Sequence, residues 1–200
     1  MGKKKGAQSS SKPEAPRTRF SKALVEWNKC RLKSLPLVKS VIDLRNETTY
    51  LTSDRVSDAV GTFVRPSTLY IDVTEKLHGS LSQLEMQLEV MTKCVEAMTS
   101  LLLAESEWEQ RQENEQDLDA EYEPLSATID VDFLEEMVRE ALQQTLLEKI
   151  MLQQLKCSTE GASLNLGMDH DSSVTLLACY SYAPCLNENS LKLALETLAH

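Results

Sequence analysis

Glycine, proline and aromatic residues are scarce in this chain of 200 residues, which contains six Gly, six Pro and 5% aromatic residues. Sheets joined by many tight turns need Gly and Pro, because these residues supply the backbone angles that turns require. Leu, Glu, Gln and Met are plentiful instead, and such residues favour helices. Hydrophobic residues make up 42% of the chain, enough to bury a core. The composition therefore predicts an all-α fold.

Long apolar runs are also missing. No apolar stretch follows Met1 and none reaches about 18 residues, so the sequence predicts neither a secretory signal nor a membrane span. We therefore expect a soluble, intracellular protein that does not bind membranes. The five cysteines are odd in number and form no CxxC pair, which favours reduced thiols. They are Cys30, Cys94, Cys157, Cys179 and Cys185.

Catalytic motifs are absent from the sequence as well. It has no Gly-rich phosphate loop, no GxSxG and no HExxH. Its three histidines, His78, His170 and His200, are far apart in the chain. A zinc ion could be held by Cys157, His170, Cys179 and Cys185, but their gaps of twelve, eight and five residues match no standard ligand spacing. The sequence therefore predicts a protein that is not an enzyme and has no cofactor or metal.

Charge is unevenly distributed along the chain. Residues 1–22 carry a net charge of +6 and the whole chain carries −10, so residues 23–200 carry −16. We predict that residues 1–19 form a disordered basic tail, because they hold too few apolar residues to order themselves. Within it, Lys3, Lys4 and Lys5 form a candidate nuclear-import signal or weak nucleic-acid contact; a solvated tail is the alternative. The acidic remainder argues against nucleic acid as the main ligand.

A heptad seam between Tyr70 and Leu102 is the clearest pattern in the sequence. Its ten positions are spaced alternately by four and three residues, and nine are apolar or aromatic, which is typical of a coiled coil. The pattern predicts a helix over about 67–104, roughly 50 Å long, with Ser67 as its N-cap. We expect the seam to bind a partner helix, and packing within the chain is the alternative. Its candidate protein-binding residues are Tyr70, Leu77, Leu81, Leu84, Leu88, Met91, Val95, Met98 and Leu102.

A first helix is predicted to begin near residues 20–22, with Trp27 as a core anchor or, alternatively, an exposed partner contact. Pro36 is expected to bend this helix or to restart it near Leu37. Residues 46–66 are predicted to connect the first helix to the seam helix, with a helical turn around residues 54–60. The basic residues of the first helix are expected on its solvent face; they are Lys29, Lys33, Lys39 and Arg45.

The second half of the chain is predicted to hold an acidic loop over 105–128, a helix over about 130–156 and C-terminal helices over about 174–199. Asp130 or Asp132 is the expected cap of the middle helix, and Asn187 or Asn189 that of the last. For residues 174–178 a strand is the alternative to the predicted helix. We expect the middle helix to be buried by two neighbours, because it has two apolar faces. One contains Phe133, Met137, Ala141, Met151 and Leu155, and the other contains Leu142, Leu146 and Ile150.

These elements together predict an elongated antiparallel helical bundle or coiled coil, in which residues 20–200 form a single helical domain.

Three blocks of the sequence resemble the cyclin-dependent kinase 2-interacting protein family, CINP. Residues 69–77, Leu-Tyr-Ile-Asp-Val-Thr-Glu-Lys-Leu, with the leucines that follow, resemble its coiled-coil segment. Residues 133–155 resemble its penultimate helix. Residues 180–198, an aromatic residue four before a proline and then a leucine helix, resemble its C-terminal end. The chain departs from the family at Tyr180, where a tryptophan is usual, and at residues 124–126, where a Trp-Pro pair is missing.

The resemblance implies a non-enzymatic nuclear adaptor. CINP proteins bind cyclin-dependent kinase and the replication-initiating kinase, and associate with replication origins and with the checkpoint protein ATRIP. Together with a helical sister subunit, AIRIM, they belong to an AAA+ ATPase assembly that acts in large-ribosomal-subunit biogenesis and at replication forks. The chain thus has expected roles in DNA replication, the cell cycle, the DNA damage checkpoint and ribosome biogenesis. An AIRIM-like subunit of the same assembly is the second interpretation, and a nucleic-acid-binding module using basic residues 3–45 is the third.

Overall fold

The computed structural model describes residues 14–51, 66–114, 124–127, 129–160 and 170–199. These residues form five α-helices and a short 3₁₀ turn at Leu125–Ala127, and they contain no strand. The all-α helical bundle predicted from the composition is confirmed. The candidate import signal at residues 3–5 lies outside the described residues. The helices are α1 (Pro16–Leu51), α2 (Pro66–Asn114), α3 (Val131–Glu160), α4 (His170–Tyr182) and α5 (Glu188–Ala199).

Helix α1 is continuous through Pro36, so the restart expected near Leu37 is wrong, while the alternative of a bend at Pro36 stays a prediction. Proline removes one backbone donor, which leaves the carbonyl four residues earlier, that of Leu32, without its helical partner. Pro36 and Leu32 are both exposed, so water can solvate that carbonyl. The helix begins at Pro16, so the disordered tail predicted over 1–19 is wrong for residues 16–19, and it continues to Leu51, past the predicted start of the connector at residue 46. The helical turn expected at residues 54–60 lies outside the described residues.

Helices α1 and α2 form the most extensive contact of the fold and run antiparallel. The hydroxyl oxygens of Ser40 and Ser80 lie 3.4 Å apart, and Cys30 of α1 lies near enough to Cys94, further along α2, to contribute to the raised pKa of its thiol. The chain therefore folds back on itself between these helices. The heptad positions of α2 meet the apolar face of α1 along this contact.

Helix α2 begins at Pro66 and ends at Asn114, so the acidic loop predicted from residue 105 is wrong for its first ten residues. Glu105 has no exposed surface, and its Oε1 accepts hydrogen bonds from the backbone N–H and the hydroxyl of Ser126, at 3.0 and 2.9 Å. Arg111 pairs with Glu107 one turn earlier. These contacts offset the repulsion between the glutamates. Ser67 lies inside the helix and is not its N-cap; proline is well suited to the first helical position.

Helices α3 and α5 each begin at one of their predicted caps. The Asp130 carboxylate accepts the N–H of Asp132 at the start of α3, at 3.1 Å. The Asn187 side chain accepts the N–H groups of Asn189 and Ser190 at the start of α5, at 3.1 and 3.3 Å. Residues 174–178 are helical, so the strand alternative is wrong. Among the described helices, none is both long enough and apolar enough to cross a membrane.

Candidate partner-binding surface

Most of the candidate seam residues are buried inside the folded chain. Leu84, Met91 and Met98 have no exposed surface, and Tyr70 is half-buried. On α1 the opposing core includes Phe20, which is likewise fully buried. The seam is therefore filled from within the chain over most of its length, and its role in binding a partner stays a prediction. The other seam residues, each less than a tenth exposed, are Leu77, Leu81, Leu88, Val95 and Leu102.

Trp27 is a buried core residue, as expected, and its ring nitrogen anchors α1 to α3. Its Nε1–H donates to the hydroxyl of Thr145 at 2.9 Å, and that hydroxyl donates to the carbonyl of Ala141 at 2.7 Å. The tryptophan thus fills apolar volume and satisfies its single donor. Arg45, in contrast, was expected on the basic solvent face and is buried, and burial lowers the pKa of its guanidinium.

A buried polar cluster, Arg31, Gln144, Glu148 and Tyr180, joins α1, α3 and α4. The Gln144 amide donates to the Glu148 carboxylate at 3.0 Å, and the Tyr180 hydroxyl donates to the Glu148 backbone carbonyl at 3.2 Å. Arg31 pairs with Glu188 of α5 at 2.9 Å, which links α5 to the same cluster. The second oxygen of Glu148 and the amide oxygen of Gln144 find no hydrogen-bond donor among the described residues.

Burial raises the pKa of the Glu148 carboxyl to about 7, although the hydrogen bond from Gln144 and the charge of Arg31 act in the opposite direction. Burial also raises the pKa of the Tyr180 hydroxyl. A carboxyl with such a pKa suits proton transfer at neutral pH. Glu148 has no exposed surface, however, so it cannot touch a substrate in this conformation. The cluster therefore joins helices and does not form an open site.

Helix α3 carries an exposed apolar stripe, which consists of Leu142, Leu146 and Ile150. These side chains are 43%, 49% and 53% exposed, so the predicted burial of this face by a second neighbour is wrong. The opposite face packs as predicted, with Met137, Ala141 and Leu155 in the core and Phe133 half-buried. Successive members of the stripe are four residues apart and lie one above the other on the helix. Helix α3 thus keeps one apolar face inside and presents another to solvent.

Polar side chains flank the stripe. Arg139 lies one turn before it and pairs with Glu136, and both side chains are about half exposed or more. Lys149 and Gln153 lie on the same exposed side of α3. They also line a groove of about 460 Å³ between α2 and α3, which contains Leu88 and Leu152 at its base and charged residues at its rim. The stripe and the groove therefore lie side by side along α3.

No described group of three His, Cys, Asp or Glu residues is arranged to hold a metal ion. The described thiols of Cys30, Cys94, Cys179 and Cys185 are free, and burial raises the pKa of Cys94 to about 11. The zinc hypothesis also needs the side chains of Cys157 and His170, which lie outside the described part of the chain.

Comparison with known proteins adds no relative: no protein-family model matches the chain, and a search of curated proteins finds no match.

Sequence reasoning missed the buried polar cluster, although the helical period indicates two of its members. Gln144 follows Met137 by seven residues and Glu148 follows Ala141 by seven, so both lie on the apolar face of α3. A polar residue at such a position is the signal of a buried hydrogen-bonded group.

Proposed function

We propose that this protein is a non-enzymatic nuclear adaptor that uses the exposed stripe of α3 to bind a helical partner subunit. The observation that supports this function is the stripe itself: Leu142, Leu146 and Ile150 are each about half exposed on a helix whose other face packs into the core. Isolated exposed leucines are common on protein surfaces, whereas three in line on one helix face form a continuous apolar strip.

A helix fits the stripe better than an extended peptide does. Apolar residues four apart on one helix interlock with a similar row on another helix. Burying the remaining exposed half of each side chain contributes roughly 1 kcal/mol per residue. The groove beside the stripe offers Lys149, Lys156 and Glu89 as polar contacts at the edge of such an interface. An apolar centre with a charged rim is the usual composition of a protein interface.

The resemblance to CINP suggests which partners to test. An AIRIM-like helical subunit is the first candidate for the stripe, and subunits of an AAA+ ATPase assembly follow. Cyclin-dependent and replication-initiating kinases and the checkpoint protein ATRIP are further candidates. On this proposal the protein acts in DNA replication, the cell cycle, checkpoint signalling and ribosome biogenesis from the nucleus. An AIRIM-like identity for the chain itself would change which sister subunit it binds.

The proposal is tested by co-expressing the full chain with an AIRIM-like subunit and measuring the complex by size-exclusion chromatography and calorimetry. Leu146→Asp with Ile150→Asp places two charges in the desolvated interface, which is strongly unfavourable. We expect this double variant to lose at least about a hundredfold in affinity. A matched control, Leu103→Asp with Leu193→Asp, introduces the same charges at exposed leucines of α2 and α5.

Both double variants should keep the helicity and melting temperature of the wild-type chain, because all four side chains are at least about half exposed. Full affinity in a folded Leu146→Asp, Ile150→Asp protein would place the interface elsewhere. Charges at Leu84 or Leu88 do not test the stripe, since these residues are buried in the chain and the substitutions would unfold it.

A further inference from the structure

The solvent side of α1 is a second surface with a regular pattern, in which basic and apolar residues alternate. We call it the α1 outer face. Val25 and Leu32 are 50% and 59% exposed, and Pro36 continues their row. Lys22 and Lys29 lie three or four residues from Val25 or Leu32, Lys33 follows Leu32 directly, and Lys39 lies seven residues after Leu32, so all share one side of the helix. The α1 outer face comprises Lys22, Val25, Lys29, Leu32, Lys33 and Lys39.

The lysines of this face are available to a partner. Lys33 and Lys39 form no ion pair with any residue in the described ranges. Lys22 pairs with Glu14, and Lys29 pairs with Glu26 at 3.2 Å, in both cases between exposed side chains. Exposed pairs of this kind contribute about 0–1 kcal/mol, so an incoming carboxylate can replace them at little cost.

The charge of α1 is opposite to that of the chain. Eight Lys and Arg against three Asp and Glu give α1 a net charge of +5, whereas the whole chain carries −10. Salt at physiological concentration screens exposed charges beyond about 8 Å, so a ligand near α1 responds to the local lysines more than to the distant acids. The α1 outer face is thus a positive strip on an acidic protein.

We propose that the α1 outer face binds an acidic amphipathic segment of another protein, with carboxylates on the lysines and apolar side chains on Val25 and Leu32. Charge complementarity selects an acidic ligand. The two half-exposed apolar side chains select a ligand that also has apolar groups at helical spacing. A segment with Leu at every third or fourth position and Glu between them satisfies both conditions.

A nucleic acid fits this face less well. Sequence-tolerant nucleic-acid surfaces combine basic residues with aromatic side chains on which bases stack. The α1 outer face has no aromatic residue between Lys22 and Lys39, and its centre is aliphatic. Phosphates could contact the lysines, but Val25 and Leu32 would then gain nothing from binding.

The experiment measures fluorescence anisotropy of a labelled helical peptide of about five turns, built from Leu at every third or fourth position and Glu elsewhere. Its titration with the full chain is compared with that of a single-stranded oligonucleotide of similar length, at low and physiological salt. Lys33→Glu with Lys39→Glu tests the charges, and Val25→Ser with Leu32→Ser tests the apolar centre. The control is Lys76→Glu with Lys192→Glu, which changes the net charge equally at exposed lysines of α2 and α5.

We expect the wild-type chain to prefer the peptide and the charge-reversed variant to weaken peptide binding about tenfold or more. The serine variant should weaken it about tenfold without changing its salt dependence, because only apolar area is removed. The control should bind within about twofold of wild type. The proposal is overturned if the wild-type chain does not bind the peptide, or binds the oligonucleotide as tightly. It is also overturned if either the serine variant or the charge-reversed variant keeps full affinity for the peptide. The stripe of α3 is unchanged in the two test variants, so the result is independent of the proposed adaptor interface.

Discussion

The substitution Glu148→Gln should make the protein more stable than the wild type at pH 8. At pH 5 the advantage of the variant over the wild type should be much smaller. Glu148 is fully buried, and one of its carboxylate oxygens has no hydrogen-bond donor among the described residues. The ionised carboxylate is therefore poorly solvated in the folded state. An amide of the same shape carries no charge, and its NH₂ group could donate to the amide oxygen of Gln144, which lacks a donor in the described structure.

The magnitude follows from the two pKa values of Glu148. Its pKa is raised to about 7 in the folded protein from an ordinary 4.5, chiefly by burial. Between these values the folded state binds more protons than the unfolded state, so the free energy of unfolding falls as the pH rises. Full stability is present below about pH 4.5 and is lost as the pH rises through about 7. The shift of the Glu148 pKa between the unfolded and folded states corresponds to a loss of at most about 3 kcal/mol in the free energy of unfolding.

The assay is urea denaturation followed by far-UV circular dichroism at about pH 5 and about pH 8, with the difference between variant and wild type taken at each pH. Taking this difference removes the titration of other groups. The exposed Glu135 on the same helix supplies the control, since Glu135→Gln removes the same charge without relieving burial. Its effect on the free energy of unfolding should differ little between the two pH values.

Refutation is direct. If the advantage of Glu148→Gln over wild type grows by less than about 1 kcal/mol between pH 5 and pH 8, the carboxyl is not held in the environment that the structure shows. An equal change in the Glu135→Gln protein would assign the pH dependence to net charge and not to the buried cluster.

Two further predictions concern the core. Leu84→Ala should destabilise the chain by about 2–5 kcal/mol in urea denaturation, because it removes a fully buried side chain. Leu103→Ala, at an exposed position, should change the free energy of unfolding by less than about 0.5 kcal/mol. Similar losses for both variants would contradict the packing of the seam. Burial raises the pKa of Cys94 to about 11, so its thiol should resist iodoacetamide at neutral pH in the folded chain and react only after denaturation. Mass spectrometry of the labelled protein measures this, and the half-buried Cys185 should react earlier. Rapid labelling of Cys94 in the native protein would contradict its burial.

Local signals in the sequence predicted the helices well, because caps and periodicity act within a few residues of chain. Asp130 and Asn187 cap α3 and α5 as expected. The errors occurred where the surroundings of a residue, either solvent or another part of the chain, override a local rule. Pro36 lies inside α1 because its exposed position keeps the freed carbonyl hydrated, and Glu105 stays helical because Ser126 satisfies its carboxylate.

The candidate site was harder to predict than the fold. Periodicity identified both apolar faces of α3, but it could not tell which face a neighbour covers, and the structure leaves Leu142, Leu146 and Ile150 exposed. The same limit applies to the basic face of α1: Lys29, Lys33 and Lys39 are exposed as expected, whereas Arg45 is buried.

The sequence by itself determined that this protein is helical and that α2 carries an unbroken heptad seam, because composition and spacing fix which residues share a face. Only the tertiary structure decided what meets that seam. Helix α1 folds back along α2 and fills it, since burying both apolar faces within one chain requires no partner. On our two proposals, other proteins bind the stripe of α3 and the outer face of α1, whose apolar side chains are about half exposed in the described structure.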